Sequence, residues 1–157
     1  MRDVLVIGWG NPIFGDDGFA FRVVEKLRDV GLPEGVELKS CSSSPISVAR
    51  EMLDYKKVII VDTIRTSKSE EGKVLRVKLS DLCDSPKIIN PHSLSLPAAL
   101  KIFEALHPDR VPKEVLVIGV CVSHPGIGEE LSEEIEARVE DVVDLVLKEV
   151  GRGREDE

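Results

Sequence analysis

The sequence has no run of about 18 apolar residues, which is the length that a membrane-spanning helix requires. It also shows no basic segment leading into a cleavable hydrophobic stretch, so we expect a cytoplasmic protein with no membrane partner. Its three cysteines, Cys41, Cys83 and Cys121, form no Cys-x-x-Cys pair, which argues against a disulfide framework and against a thiolate zinc site. We expect reduced, structural thiols.

Positive charge is also scarce. Lysine and arginine number 21 against 29 aspartates and glutamates, which gives a net charge of −8. An acidic protein repels phosphate backbones unless a local basic patch overrides its field. We therefore expect no nucleic-acid partner.

Strand-like apolar runs alternate with helical patterns along most of the chain. The runs are Val4–Ile7, Val36–Cys41, Val58–Val61, Val74–Leu79 and Val115–Val122. This alternation predicts the α/β class: one three-layer domain with a mostly parallel, five-stranded twisted sheet and helices on both faces. The alternating apolar and basic residues of the fourth run favour a wet or edge strand, which is compatible with an antiparallel direction.

Four helices are predicted between and after these strands. They begin near Asp16 or Asp17, at Ser44-Pro45, at Ser95 or Leu96, and near Leu131, and the last keeps its apolar period to Val150. The third should bury Ala99, Ile102, Phe103 and Leu106. We assign residues 1–150 to a single domain and residues 151–157 to a disordered tail.

Three segments carry potential metal ligands near the ends of predicted strands. Asp16 and Asp17 follow a glycine-rich turn after the first strand, Asp62 directly follows Val58–Val61, and His92 lies in a loop that enters a helix. In α/β proteins, sites form at such strand ends. Two carboxylates and one imidazole suit nickel, zinc or manganese, and three ligands leave room for substrate or water.

Each of these residues also has a structural interpretation. Asp16 or Asp17 could cap the first helix, and a single loop histidine such as His92 is often structural. Asp62 is harder to explain in this way, because an unpaired carboxylate at the mouth of a buried strand is costly. His107 and His124 are weaker candidates. Gly8-Trp-Gly10 lacks the third glycine of a dinucleotide-binding turn, so its glycines indicate close backbone packing instead.

Taken together, three segments strongly resemble the maturation endopeptidases of nickel-iron hydrogenases. They are Gly8-Trp-Gly-Asn-Pro-Ile-Phe-Gly-Asp-Asp-Gly18, Val58-Ile-Ile-Val-Asp62 and Asn90-Pro-His92-Ser-Leu-Ser-Leu. The segment from Gly119 to Ser132 is similar to that family's last strand and the loop and helix start that follow. The match covers the chain in order to about Val150.

The resemblance implies an activity and a set of site residues. The activity is removal of a short C-terminal extension from the hydrogenase large-subunit precursor after nickel has been inserted. Asp17, Asp62 and His92 would be both metal contacts and catalytic residues, with Asp16 as a substitute for Asp17. The nickel would be supplied by the precursor, with no cofactor permanently bound. A metal bound by these three residues could polarise the scissile carbonyl or activate water, and a carboxylate would be available to transfer protons.

The sequence departs from the family pattern in one place, and two other families share parts of it. Where family members often carry glycines after the second strand, this chain has Cys41-Ser-Ser-Ser-Pro45, which bears on substrate selectivity. The opening Val6-Ile-Gly-Trp-Gly-Asn-Pro12 is also similar to peptidyl-tRNA hydrolase, although the His-Asn pair expected downstream is missing. A non-enzymatic receiver-like phosphoacceptor domain would use aspartates after strands one and three, but it requires a lysine where this chain has Ser123-His-Pro125.

Overall fold

The computed structural model describes residues 1–10, 18–84, 91–123 and 131–155, and within them all side chains except those of residues 83, 84, 91–95 and 152–155. Among these residues, none of the helices combines the length and the apolar character needed to cross a bilayer.

Five strands form one sheet in the order β2-β1-β3-β5-β4. They are β1 (Arg2–Trp9), β2 (Val36–Cys41), β3 (Tyr55–Arg65), β4 (Val74–Lys78) and β5 (Glu114–Val122). β1 pairs in parallel with β2 and β3, and β3 pairs in parallel with β5. β4 runs antiparallel to β5 at the edge of the sheet. The predicted mostly parallel, five-stranded sheet is confirmed.

Helices cover both faces of this sheet, which gives the three predicted layers. They are α1 (Phe19–Val30), α2 (Pro45–Glu51), α3 (Leu79–Asp84), α4 (Pro91–Leu106), α5 (Glu133–Glu136) and α6 (Val139–Glu155), with a 3₁₀ turn at Lys68–Glu70. Side chains that alternate along β1 and β3 enter two separate cores. Val4, Val6, Ile59 and Val61 pack with α1, α5 and α6. Leu5, Ile7, Val58 and Ile60 pack with α2, α3 and α4.

Two element boundaries near the candidate site differ from the sequence-based expectation. α1 begins at Phe19 and its N-cap is Gly18, so the capping position expected at Asp16 or Asp17 belongs to a glycine. β3 continues through Asp62 to Arg65, because β5 supplies hydrogen-bond partners to its last four residues. Asp62 is therefore inside a strand, and the prediction that it ends one was wrong.

The third predicted helix is longer than expected and buries different residues. α4 begins at Pro91 and includes Pro97 within it, and Ala99 is buried as predicted. Ile102 and Leu106, however, are 51% and 66% exposed. Ile102 lies about 100° around the helix axis from half-buried Phe103, and Leu106 is the last helical residue, so neither reaches the core.

Two further helices differ from the prediction. Leu79, expected at the end of a strand, begins the unpredicted helix α3. The last helix is divided into α5 and α6 by a tight turn in which the Arg138 N–H donates to the Ile135 carbonyl at 3.0 Å. α6 ends at Glu155, five residues later than the apolar pattern predicts, and so enters the segment expected to be a disordered tail.

Candidate active site

The strand order itself marks one place in the sheet where a ligand crevice should form. β1 has β2 on one side and β3 on the other, and α1 and α2 pack on opposite faces of the sheet. This arrangement makes the carboxyl ends of β1 and β3 a topological switch point. In open α/β sheets, ligands bind outside the strands at such points.

Asp62 lies at this switch point. The β1–β3 ladder ends with Gly8 opposite Val61, whereas the β3–β5 ladder continues with Asp62 opposite Gly119. Asp62 is thus the first residue of β3 beyond its paired length with β1. It is 4% exposed, and its Oδ1 accepts a hydrogen bond of 2.8 Å from the Thr63 N–H. Burying a carboxylate costs free energy, so packing alone does not explain an aspartate at this position.

The face of the sheet that carries Asp62 is the one covered by α4. Ile60 and Ile64, two residues away on either side, belong to the core beneath α2, α3 and α4. Side chains two residues apart in a strand share a face, so Asp62 lies on that face. Leu96 of α4 is in the same core, and position 92 is about one helical turn before it. The structure thus brings the start of α4 and Asp62 to one face of the sheet.

The predicted set of three metal ligands is not tested by the described residues. Asp16 and Asp17 lie outside the described residues, and the side chain of His92 is not described. Among the described side chains, no group of three or more histidine, cysteine, aspartate or glutamate residues could hold a metal ion. The set of Asp17, Asp62 and His92 therefore stays a prediction.

Trp9 is a neighbour of Asp62 that the sequence did not single out. The register of Gly8 with Val61 places position 9 beside position 62, and Trp9 packs in the same core as Leu5 and Ile7. Trp9 is 2% exposed, and its Nε1–H donates a 2.9 Å hydrogen bond to the Ser43 carbonyl. The indole therefore holds the serine-rich segment after β2 beside the switch point. No local sequence pattern signals this contact.

Gly8 and Gly119 are required by close packing around the site. A β-carbon at Gly8 would lie 2.5 Å from Val24 Cγ2 and 3.0 Å from the Ala20 carbonyl oxygen, so α1 packs directly on the end of β1. This confirms close backbone packing as the role of Gly8. Gly119, within a largely apolar strand, was also missed, although an isolated glycine in such a run indicates close backbone approach.

Cys121, the cysteine of β5, does not supply a nucleophile here. Cys121 is buried, and burial raises the pKa of its thiol, so it is protonated at neutral pH. Cys41 is half-buried, and both are free thiols, as expected; the Cys83 side chain is not described. His107 is exposed beyond the end of α4, and His124 lies outside the described residues.

The sequence is similar to one known protein family over most of its length. A family model described as hydrogenase maturation protease matches residues 21–149. The chain belongs to the hydrogenase maturation protease family. A Methanocaldococcus jannaschii protein, provisionally named a hydrogenase maturation protease, is 33% identical over 155 residues, covering 95% of this chain and 97% of the relative. The hydrogenase 2 maturation protease of Escherichia coli is 27% identical over 151 residues, covering 92% of this chain and 88% of the relative.

Solved structures agree with this family assignment. A hydrogenase-maturating endopeptidase from Escherichia coli superposes with a TM-score of 0.81 at 26% identity, covering 97% of this chain and 93% of that one. A nickel-iron hydrogenase maturation protease from Thermococcus kodakarensis has a TM-score of 0.76 at 24% identity, covering 96% and 99%, and supports the fold alone. The protein is thus a hydrogenase maturation endopeptidase, and this assignment replaces the peptidyl-tRNA hydrolase and receiver interpretations.

Proposed function

We propose that this endopeptidase removes the C-terminal extension from the nickel-loaded precursor of a nickel-iron hydrogenase large subunit, in the cytoplasm. The observation that carries the proposal is the buried carboxylate of Asp62 at the switch point of a family-typical fold. The nickel-iron hydrogenase maturation protease from Thermococcus kodakarensis has the same fold. The large-subunit precursor is the proposed protein partner.

The proposed recognition element is the nickel that the precursor already holds. Asp17, Asp62 and His92 are the proposed contacts, with Asp16 able to replace Asp17, and the peptidase keeps no metal of its own. Carboxylate oxygen and imidazole nitrogen are donors that suit a borderline divalent ion. In support, Asp62 and the first turn of α4, which contains position 92, lie on the same face of the sheet.

Coordination of the precursor's nickel by the peptidase would make the enzyme selective for one peptide bond. A precursor held at Asp62 has the neighbouring backbone fixed beside the carboxylate, which lowers the entropic part of the barrier. The hydrogen bond from the Thr63 N–H fixes the orientation of the Asp62 carboxylate. In this proposal Asp62 contacts the substrate's metal and accepts a proton from the attacking water.

The test is processing of a purified nickel-loaded precursor, followed by mass spectrometry of the intact protein. Asp17→Asn, Asp62→Asn and His92→Ala should each abolish loss of the extension while circular dichroism shows a folded protein. Asp29→Asn, a substitution at an exposed position of α1, is the matched control and should cleave normally. Unchanged cleavage by all three site variants would refute the proposed site.

The nickel requirement is tested with the precursor rather than with the peptidase. A nickel-free precursor should not be cut, and adding nickel to the peptidase alone before mixing should not restore cutting. Efficient processing of the nickel-free precursor would show that the metal is not the recognition element, while leaving the peptidase activity itself in place.

A further inference from the structure

An open groove of about 520 Å³ lies beside α4, on its β4 and α3 side. Its floor is apolar and contains Leu79, Pro97, Leu100 and Val115. Its volume falls within the range of about 300–1,000 Å³ that is typical of ligand-binding clefts. The groove lies at the amino end of β5, away from the switch point, so it is a second surface and not part of the candidate active site.

The rim of this groove carries three lysines and two glutamates, a small local excess of positive charge on a protein with a net charge of −8. Lys78, Lys101 and Lys113 line it, all three are exposed, and none forms an ion pair with another described residue. Two carboxylates oppose them, Glu104 and Glu114, and the second lies 3.8 Å from Lys57 Nζ. An apolar floor under exposed lysines is complementary to a peptide with apolar side chains and a carboxylate.

The groove lies on the same face of the sheet as the candidate active site and is displaced from it along β5. Val115, in the groove, is four residues before Gly119, which pairs with Asp62. At about 3.3 Å per residue, the groove therefore lies about 13 Å from the level of Asp62 along the strand direction. An extended peptide of about four residues covers that component of the separation, and it would have to pass over α3 or α4, because these helices cover the sheet between the two places.

We propose that this groove binds the precursor's C-terminal extension, an inference that rests on the proposed function. Any C-terminal extension ends in an α-carboxylate, which is ionised at neutral pH. That carboxylate would lie among the three rim lysines, and any apolar side chains before it would lie against Leu100 and Val115. The groove would thus hold the segment to be released while the switch point holds the body of the precursor.

The first experiment combines Lys78→Gln, Lys101→Gln and Lys113→Gln in one protein and measures processing kinetics. We expect the KM for the nickel-loaded precursor to rise about tenfold with kcat within about twofold, because these lysines bind substrate away from the bond that is cut. The matched control, Lys26→Gln with Lys68→Gln and Lys148→Gln, changes the net charge equally at other exposed positions and should leave KM unchanged. An unchanged KM in the groove variant overturns the proposal, as does an equal rise in the control.

The second experiment does not depend on cleavage. The synthetic extension peptide of the large subunit from the same organism is titrated into the ¹⁵N-labelled wild-type protein, once as the free acid and once as the C-terminal amide. The free acid should shift the amide signals of Leu79, Leu100 and Val115, and the amide should bind several-fold more weakly. No shift at these residues overturns the groove proposal. Failure of the wild-type enzyme to cut the precursor would instead count against the proposed function.

Discussion

The backbone carbonyl oxygen of Asp62 lies 2.0 Å from where a β-carbon at Gly119 would stand. The two residues face each other in the β3–β5 ladder, so the position of the buried carboxylate depends on a residue without a side chain in the next strand. A β-carbon cannot approach a backbone oxygen this closely, and neither strand can yield without moving the other.

Gly119→Ala should therefore displace β3 at Asp62. We expect a loss of about 1–3 kcal/mol in the free energy of unfolding, as is usual for overpacked sites, and a larger relative loss of precursor cleavage. Gly151→Ala is the control, because a β-carbon there meets nothing within 4 Å. Urea unfolding and mass spectrometry of the precursor give the two readouts. Wild-type cleavage by a folded Gly119→Ala protein would contradict the dependence.

Trp9→Phe should loosen the serine-rich segment without opening a large hole in the core. The variant keeps an aromatic ring but loses the Nε1–H that donates to the Ser43 carbonyl, a bond worth about 1 kcal/mol. Ser43→Ala keeps that carbonyl and is the matched control, with an expected change within about 0.5 kcal/mol. Far-UV circular dichroism in urea measures both, because Trp9 is the sole tryptophan and its fluorescence disappears in the variant. Equal stabilities would show that the bond is unimportant.

The observed orientation of α4 also makes a testable prediction. Ile102→Lys should change the free energy of unfolding by no more than about 0.5 kcal/mol, because Ile102 is 51% exposed. Ala99→Lys, one turn away and 5% exposed, should destabilise the protein strongly, since it buries an unpaired charge. Thermal unfolding of the two variants compares them directly. A large loss for Ile102→Lys would mean that α4 packs as its apolar pattern suggested.

The sheet and its layers followed from the sequence because β1, β3 and β5 contain apolar runs, whereas β2 and β4 alternate apolar and polar residues. The predicted ends of β1 and β5 lie within two residues of the observed ends. The edge position of β4 followed from its alternation of apolar and basic residues. The length of β3 did not, because Asp62 interrupts the apolar run although β5 continues to pair with it. Local patterns do not report which partner a backbone will have.

The sequence likewise identified some residues of the candidate site and missed others. Asp62 was identifiable because a carboxylate after four apolar residues is unusual. The contact of Trp9 with Ser43 joins residues 34 positions apart, so only the folded chain reveals it. Gly119 carried a signal, a lone glycine in an apolar strand, but its connection to Asp62 required the strand register.

Glu149 connects α6 to two strands and supplies the last prediction. Its carboxylate is 4% exposed and lies 2.8 Å from Lys57 Nζ and 2.7 Å from Arg76 Nε. The hydrogen bond from Arg76, with that from Lys57, lowers the pKa of Glu149 from 4.5 to about 2 against the opposing effect of burial. Because the folded pKa is depressed, the stabilisation is fully present above the unfolded value and disappears as the pH falls from about 4.5 towards 2.

Glu149→Gln should therefore cost about 3 kcal/mol of the free energy of unfolding at about pH 7, and much less at about pH 2.5, where the wild-type carboxylate is losing its charge. Urea unfolding of both proteins at the two pH values measures the difference. Glu140→Gln breaks the Lys26–Glu140 pair, in which both side chains are largely exposed, and should cost less than about 1 kcal/mol at either pH. If Glu149→Gln lowers the free energy of unfolding equally at both pH values, the loss comes from packing. A loss caused by the ionised carboxylate must become smaller at low pH.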